Sequence, residues 1–204
     1  QEGNYWDSFI KLNMNYDKRN QKFQTSDGFK SFYSVDLPII SDTNTFKNYY
    51  NYSHYFEFFE KNFSSISIYL QSANSLNNKD IKLSERITVP GSRLRGFEAG
   101  RIGPKDGDDY IGGNYSYSIN FVTNIPQFFE ESQNLDFLFF ADAANLWGVD
   151  YDSSIEGDGL RSSIGLALDW TSPIGPLNFS LAYPVTKENG DRTESLRFNL
   201  GTTF

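Results

Sequence analysis

The sequence predicts an all-β protein, an antiparallel transmembrane β-barrel with about nine strands present in its 204 residues. Three observations carry this reading. Apolar and polar residues alternate with period two through segment after segment, giving each strand one greasy and one polar face. Most segments run to about 9–13 residues, longer than the usual five or six and matched to the roughly 9–11 residues that cross a bilayer at a tilt. The connections also alternate: tight or modest links interleave with a second set holding the longest polar stretches, as in barrels with short turns on one side and long loops on the other.

In chain order, residues 6–16 place Trp6, Ile10, Leu12, Met14 and Tyr16 on one face and Asp7, Lys11, Asn13 and Asn15 on the other. Segments 29–40, 45–57 and 62–73 carry aromatics on both faces, but Pro, Asn and Gly clusters bound each one and none reads as an amphipathic helix. Residues 112–125 set Tyr115, Tyr117, Ile119 and Phe121 against Asn114, Ser116, Ser118 and Asn120; the less regular 135–146 follows. Next, Ile164, Leu166, Leu168 and Trp170 oppose Ser163, Gly165, Ala167 and Asp169, while Leu177, Phe179, Leu181 and Tyr183 oppose Asn178, Ser180 and Ala182. The last segment sets Leu196, Phe198, Leu200, Thr202 and Phe204 against Ser195, Arg197, Asn199, Gly201 and Thr203. Links 17–28, 58–61, 126–134 and 172–175 form the shorter set; 74–111, 146–158 and 184–194, with 41–44, fall on the other side. A secreted β-sandwich of the lectin type would also show one apolar face. The aromatics separate the two folds, because Trp6, Tyr16, Trp147, Trp170 and Tyr183 lie near strand ends, where a barrel carries its interfacial girdles.

Composition narrows the function. Aromatic residues make up 17% of the chain within a hydrophobic total of 38%, a mixture that favours strands. A formal charge of −8 opposes binding to phosphate backbones, so no nucleic-acid partner is expected. With no cysteine and a single histidine, His54, there is no disulfide framework, no thiolate site and no multi-histidine metal site. The longest apolar run, Leu135 to Ala144, contains Asp136 and Asp142 and is too short for a membrane helix. A mean hydropathy of −0.52 does not exclude a membrane barrel, whose two faces average to a polar value. The chain opens at Gln1 with no basic or apolar leader pattern, which reads as a processed product or a piece of something longer.

No nucleophile elbow, P-loop, dinucleotide fingerprint or HExxH occurs, so the chain is not read as an enzyme. The acidic stretch Asp150, Asp152, Glu156, Asp158 has Ile155 and Arg161 where a calcium loop needs Gly and Glu, and reads as a solvated loop. Asp106, Asp108 and Asp109 read likewise, and His54 as a lumen or interface residue.

Residues 93–97, Arg-Leu-Arg-Gly-Phe, lie in the longest loop, ahead of Ile102-Gly103-Pro104-Lys105 and a Gly112-Gly113 pair that opens the next strand. Further motifs are Asp17-Lys18-Arg19, Phe140-Ala141-Asp142-Ala143-Ala144-Asn145, Ser172-Pro173-Ile174-Gly175-Pro176-Leu177 and the terminal Phe198-Asn199-Leu200-Gly201-Thr202-Thr203-Phe204. In this order and approximate spacing, from about residue 5 to 204, the chain resembles the C-terminal half of the BamA-like outer-membrane barrel-assembly factors.

The resemblance implies that residues 1–204 are the C-terminal portion of a sixteen-stranded barrel, its last nine strands, without the POTRA domains and N-terminal strands. It implies a loop at about 74–111 folded into the lumen, with Arg95, Gly96 and Phe97 at its tip and Phe140 and Asp142 receiving it on the inner wall. It also makes Phe198, Leu200, Gly201 and Phe204 a C-terminal recognition signal, on a strand that pairs weakly with the first strand of the barrel. Phe204 should then lie on the periplasmic side. The implied function is to fold and insert outer-membrane proteins in the bacterial outer membrane, without cofactor or metal. The implied partners are unfolded outer-membrane protein substrates, barrel-assembly complex lipoproteins and outer-membrane lipid. A related translocation or secretion barrel and a passive pore are the alternatives; the pore needs no loop anchored in its lumen. The membrane reading predicts that the protein sediments with membranes and is released only by detergent; release by salt or carbonate washing would favour the sandwich.

Overall fold

A strand with hydrocarbon on one side and a polar lumen on the other must turn its apolar residues outward, the reverse of a soluble fold. The computed structural model has that arrangement; it describes residues 6–42, 44–125, 134–152, 154–155, 159–173 and 175–200. Nine strands form one antiparallel sheet in chain order: β1 (Asp7–Asp17), β2 (Gly28–Ser41), β3 (Thr45–Phe56), β4 (Ser64–Ser75), β5 (Tyr115–Asn124), β6 (Leu135–Trp147), β7 (Arg161–Ser172), β8 (Gly175–Thr186) and β9 (Leu196–Leu200). Among the described residues β1 and β9 do not pair with each other, so the sheet is open. No helix among them is long and apolar enough to cross a membrane, which says nothing of strands.

Register carries the two faces coherently across the sheet. Ile68 pairs with Ile119 and Ile119 with Ala143, while one position away Ser67 pairs with Asn120, Asn120 with Asp142 and Asp142 with Ser163. Ile119 is 45% exposed and its neighbour Ser118 only 1%. The large side chains are thus outside and the small polar ones inside. Aromatics mark both rims of the outer face. A chain of ring contacts from Tyr16 to Phe29 and Tyr52 lies toward one end, with His54, Phe56, Phe58 and Phe121 in contact further along it; Trp147 meets Tyr115 at the other.

The connection between β4 and β5 decides what the inner face is for. Its apolar residues Ile81, Ile87, Val89, Leu94, Phe97 and Ile102 bury against Ala73 of β4 and Ala144 and Leu146 of β6. Two alanines on the wall leave room for the larger loop side chains. At the loop tip Gly96–Phe97 forms a short antiparallel pair with Thr193–Glu194, just before β9.

One strand boundary departs from the sequence reading, and three further points bear on it. The strand expected from 112 begins at Tyr115, because Gly113 is held in the loop by reciprocal backbone hydrogen bonds with Ile87, so the connection is 76–114. The terminal strand is described to Leu200; Gly201 and Phe204 lie outside the described residues. His54 pairs with Ile66 and is exposed on the outer face, stacked with Phe56, so it is not in the lumen. Asp142 is not the only inward carboxylate. Asp136 and Asp169 pair across β6 and β7 on the same face, accepting hydrogen bonds from Gln24 and Asn178 respectively.

The outward assignment predicts that Ile119→Arg, in mid-strand, destabilises the inserted protein by about 2–4 kcal/mol, whereas Tyr115→Arg at the rim costs about 1 kcal/mol or less. Urea unfolding of the full-length protein in liposomes measures both, and equal small effects would contradict the assignment.

Candidate functional site: the lumen loop and its inner-wall anchor

Period two forces Phe140 and Asp142 onto the same face of β6, and that face is the inner one: Phe140 is 0% and Asp142 2% exposed. A carboxylate so placed must be paired or lose much of its solvation energy. Arg95 supplies the pairing. Its Nε donates to Asp142 Oδ2 at 2.7 Å, its Nη2 to Oδ1 at 2.7 Å, and its backbone N–H to Oδ2 at 3.1 Å. Asn120 Nδ2 donates to Oδ1 at 2.8 Å, so the two oxygens accept four hydrogen bonds, which fills the capacity of a carboxylate. The planar guanidinium makes a two-pronged contact that a lysine could not.

The guanidinium also lies over the Phe140 ring, its Cζ 3.6 Å from the centroid, an electrostatically favourable placement in a water-poor setting. Phe140 can lie flat there because its register partner is Gly165: a Cβ at that position would come within 2.4 Å of the ring. The next residue, Gly96, has φ +90°, and a Cβ on it would sit 3.2 Å from both the Ser163 and Ala182 Cβ atoms. Glycine is required there for its backbone conformation, and it lets the chain approach the wall closely. Ser163 Oγ donates to the Arg95 carbonyl at 2.5 Å, and Asn120 Nδ2 to that of Arg93 at 2.8 Å. Phe97, 2% exposed, completes the tip by entering the loop's own apolar cluster.

The structure therefore brings Arg95, Gly96, Phe97, Phe140 and Asp142 together. Phe198 and Leu200 stand apart, exposed on the outer face of β9. Several participants carry no sequence motif. Arg93 donates to Asn51 Oδ1 at 3.1 Å and lies over Tyr69, and burial lowers its guanidinium pKa from the usual value. Arg161 and Asp191, both 2% exposed at the side chain, form a second buried ion pair at 3.0 Å. Arg161 also donates to Asn145 Oδ1 at 3.2 Å and to the Gly159 carbonyl at 2.5 Å, tying the 148–160 and 187–195 connections to β6. Asp150 is exposed, as the solvated-loop reading expects, and it also accepts from Ile81 N–H at 2.8 Å and Asn114 Nδ2 at 2.5 Å and so pins both ends of the lumen loop. Only inward parity in the strands could have flagged Asn120, Ser163 and Arg161 beforehand.

An apolar-out, polar-in sheet with a long loop locked to its inner wall through an arginine-carboxylate pair defines an outer-membrane-type β-barrel with an internal loop. The chain belongs to the Omp85 superfamily, whose domain description, "Omp85 superfamily domain", matches residues 1–204. It is 34% identical over 156 residues to the outer membrane protein assembly factor BamA of Neisseria meningitidis serogroup B, covering 62% of this chain and 19% of that protein. It is 30% identical over 150 residues to a SAM50-like protein of Schizosaccharomyces pombe, covering 69% of this chain and 31% of the relative. Among solved structures it is similar to BamA from Haemophilus ducreyi lacking POTRA domains 1–3, with a TM-score of 0.84 at 29% identity over 92% of this chain and 41% of that one. The chain thus spans less than a third of the length of these two curated relatives.

Because a buried charge left alone costs more than a pair gains, Arg95→Ala and Asp142→Ala should each destabilise the full-length barrel far more than Asp108→Ala in the exposed loop. Lumen water softens the effect, and a double-mutant cycle on unfolding should give a coupling of about 1–3 kcal/mol. Coupling near zero would mean that the pair does not hold the loop.

Proposed function

We propose that this chain is the C-terminal part of the barrel of an outer-membrane protein assembly factor, located in the bacterial outer membrane, where it helps to fold and insert other outer-membrane proteins. The observation that carries this reading is the Arg95–Asp142 anchor at 2.7 Å on a sheet that superposes on a BamA barrel. A passive pore has no use for a wall-locked loop that fills part of its lumen. Homologues called BamA in bacteria and SAM50-like in yeast support the same task. The mechanism is physical: a sheet edge templates the incoming strand through its backbone groups, and the local bilayer is thinned, with no bond broken and no cofactor consumed. The chain therefore acts without catalytic residues. Its partners are unfolded outer-membrane proteins, the lipoproteins of an assembly complex and outer-membrane lipid. The nine strands correspond to the last nine of a longer barrel, and Phe198 and Leu200, with Gly201 and Phe204, form the terminal signal that marks a barrel for insertion. The connections 42–44, 76–114, 148–160 and 187–195 face the cell exterior.

Depleting the native full-length protein and supplying the Arg95→Ala variant should lower the steady-state amount of folded porins several-fold relative to wild-type complementation, read by heat-modifiable mobility on gels. Normal porin assembly together with loss of one secreted client would instead favour a translocation barrel.

A further inference from the structure

Strand β9 is the edge of the described sheet, paired on one side only, with β8, over positions Leu177↔Leu200 to Leu181↔Leu196. Within the described sheet the β8 ladder is its one main-chain hold, so the contacts of its inward side chains matter for what else keeps it in place. Its inward side chain Arg197 adds a second hold from a different part of the chain. The guanidinium donates through Nη2 to the Phe97 carbonyl at 2.5 Å and through Nη1 to the Gly91 carbonyl, and it pairs with Glu194 at 2.6 Å. Both carbonyls belong to the lumen loop, one on each side of Arg95. A Cβ at Gly91 would stand 2.5 Å from Arg197 Nη1, so the loop backbone approaches the guanidinium as closely as a residue without a side chain allows. Immediately before β9, Thr193–Glu194 pairs with Gly96–Phe97, and Glu98 N–H donates to the Arg192 carbonyl at 2.9 Å.

We propose that Arg197 is a positioning residue that clamps the terminal strand to the tip of the lumen loop, so that the docking of the loop and the freedom of the terminal strand form one equilibrium. Arg95 fixes the tip to the wall of β6 from one side, and Arg197 fixes β9 to the same tip from the other. A force or partner that releases either arginine therefore loosens both segments. The fork geometry is essential, because two carbonyls at separate loop positions are bridged by one planar group; a lysine keeps the charge opposite Glu194 but loses the fork. The proposal rests on the assembly reading for its purpose, while its test does not depend on assembly activity.

The test is amide hydrogen exchange on the full-length protein in liposomes, comparing wild type with Arg197→Met, which keeps the aliphatic stem, and Arg197→Lys, which keeps the charge. Both variants should raise exchange about ten-fold in segments 91–98 and 193–200 together, with β5 and β6 unchanged. Arg95→Ala should raise exchange in 193–200 as well, and Arg95→Ala/Arg197→Met should add little to it there. A rise in only one of the two segments, full protection in Arg197→Lys, or additive effects in the double variant would overturn the clamp. Porin assembly measured on the same variants separates the readings: normal exchange with failed assembly counts against the clamp alone.

Discussion

The buried carboxylate of Asp142 is the constraint on which the rest of the site depends. It stands on the inner wall 2% exposed, and its two oxygens are filled by Arg95 and Asn120. Burying a charge is unfavourable unless its partners are rigidly placed, so the surrounding residues serve that placement. Gly165 makes space for the Phe140 ring under the guanidinium, Gly96 turns the chain away without a side chain, and Ser163 and Asn120 hold the loop carbonyls on either side. The apolar residues of the loop then bury on Ala73, Ala144 and Leu146, adding a nonspecific contribution to a specific anchor. The loop is held in one register by charge and in one place by packing.

Much of the fold was legible because a membrane barrel writes its two environments into alternate residues. Strands β7 and β8 follow their sequence pattern closely: Ile164, Leu166, Leu181 and Tyr183 are exposed, while Ser163, Ser180 and Ala182 are buried. The irregular segments were legible as strands only through their bounding turn residues, since Phe32 and Tyr49 or Tyr69 face inward as readily as others face out. What period two could not give is how the connections fold. Gly113 belongs to the loop because of a bridge to Ile87, a contact 26 residues away in sequence that no local pattern encodes. The role of Asp150 was hidden for the same reason: its partners, Ile81 and Asn114, are distant in the chain.

The site was legible in part. Arg95, Gly96, Phe97, Phe140 and Asp142 carry a recognisable motif, and strand parity independently sends the last two inward. Arg161, Asp191 and Arg197 have no motif, yet each is a charged residue whose burial is resolved by a partner from another connection. Together they make the outer ends of β6 to β9 and three long connections a single hydrogen-bonded unit around the loop tip. The terminal strand and the lumen loop are thus joined at the loop tip, where Arg197 and the Thr193–Glu194 pair meet the residues beside Arg95.

The most direct measurement of the central claim is thiol accessibility in intact cells, to which these 204 residues contribute no cysteine of their own. In the full-length protein, Leu94→Cys sits beside the anchor and Asp108→Cys at the exposed end of the same loop. The account predicts that a membrane-impermeant maleimide labels the Asp108 variant readily and the Leu94 variant hardly at all, and that adding Asp142→Ala makes the Leu94 variant reactive. Equal labelling at both positions with Asp142 intact would contradict it.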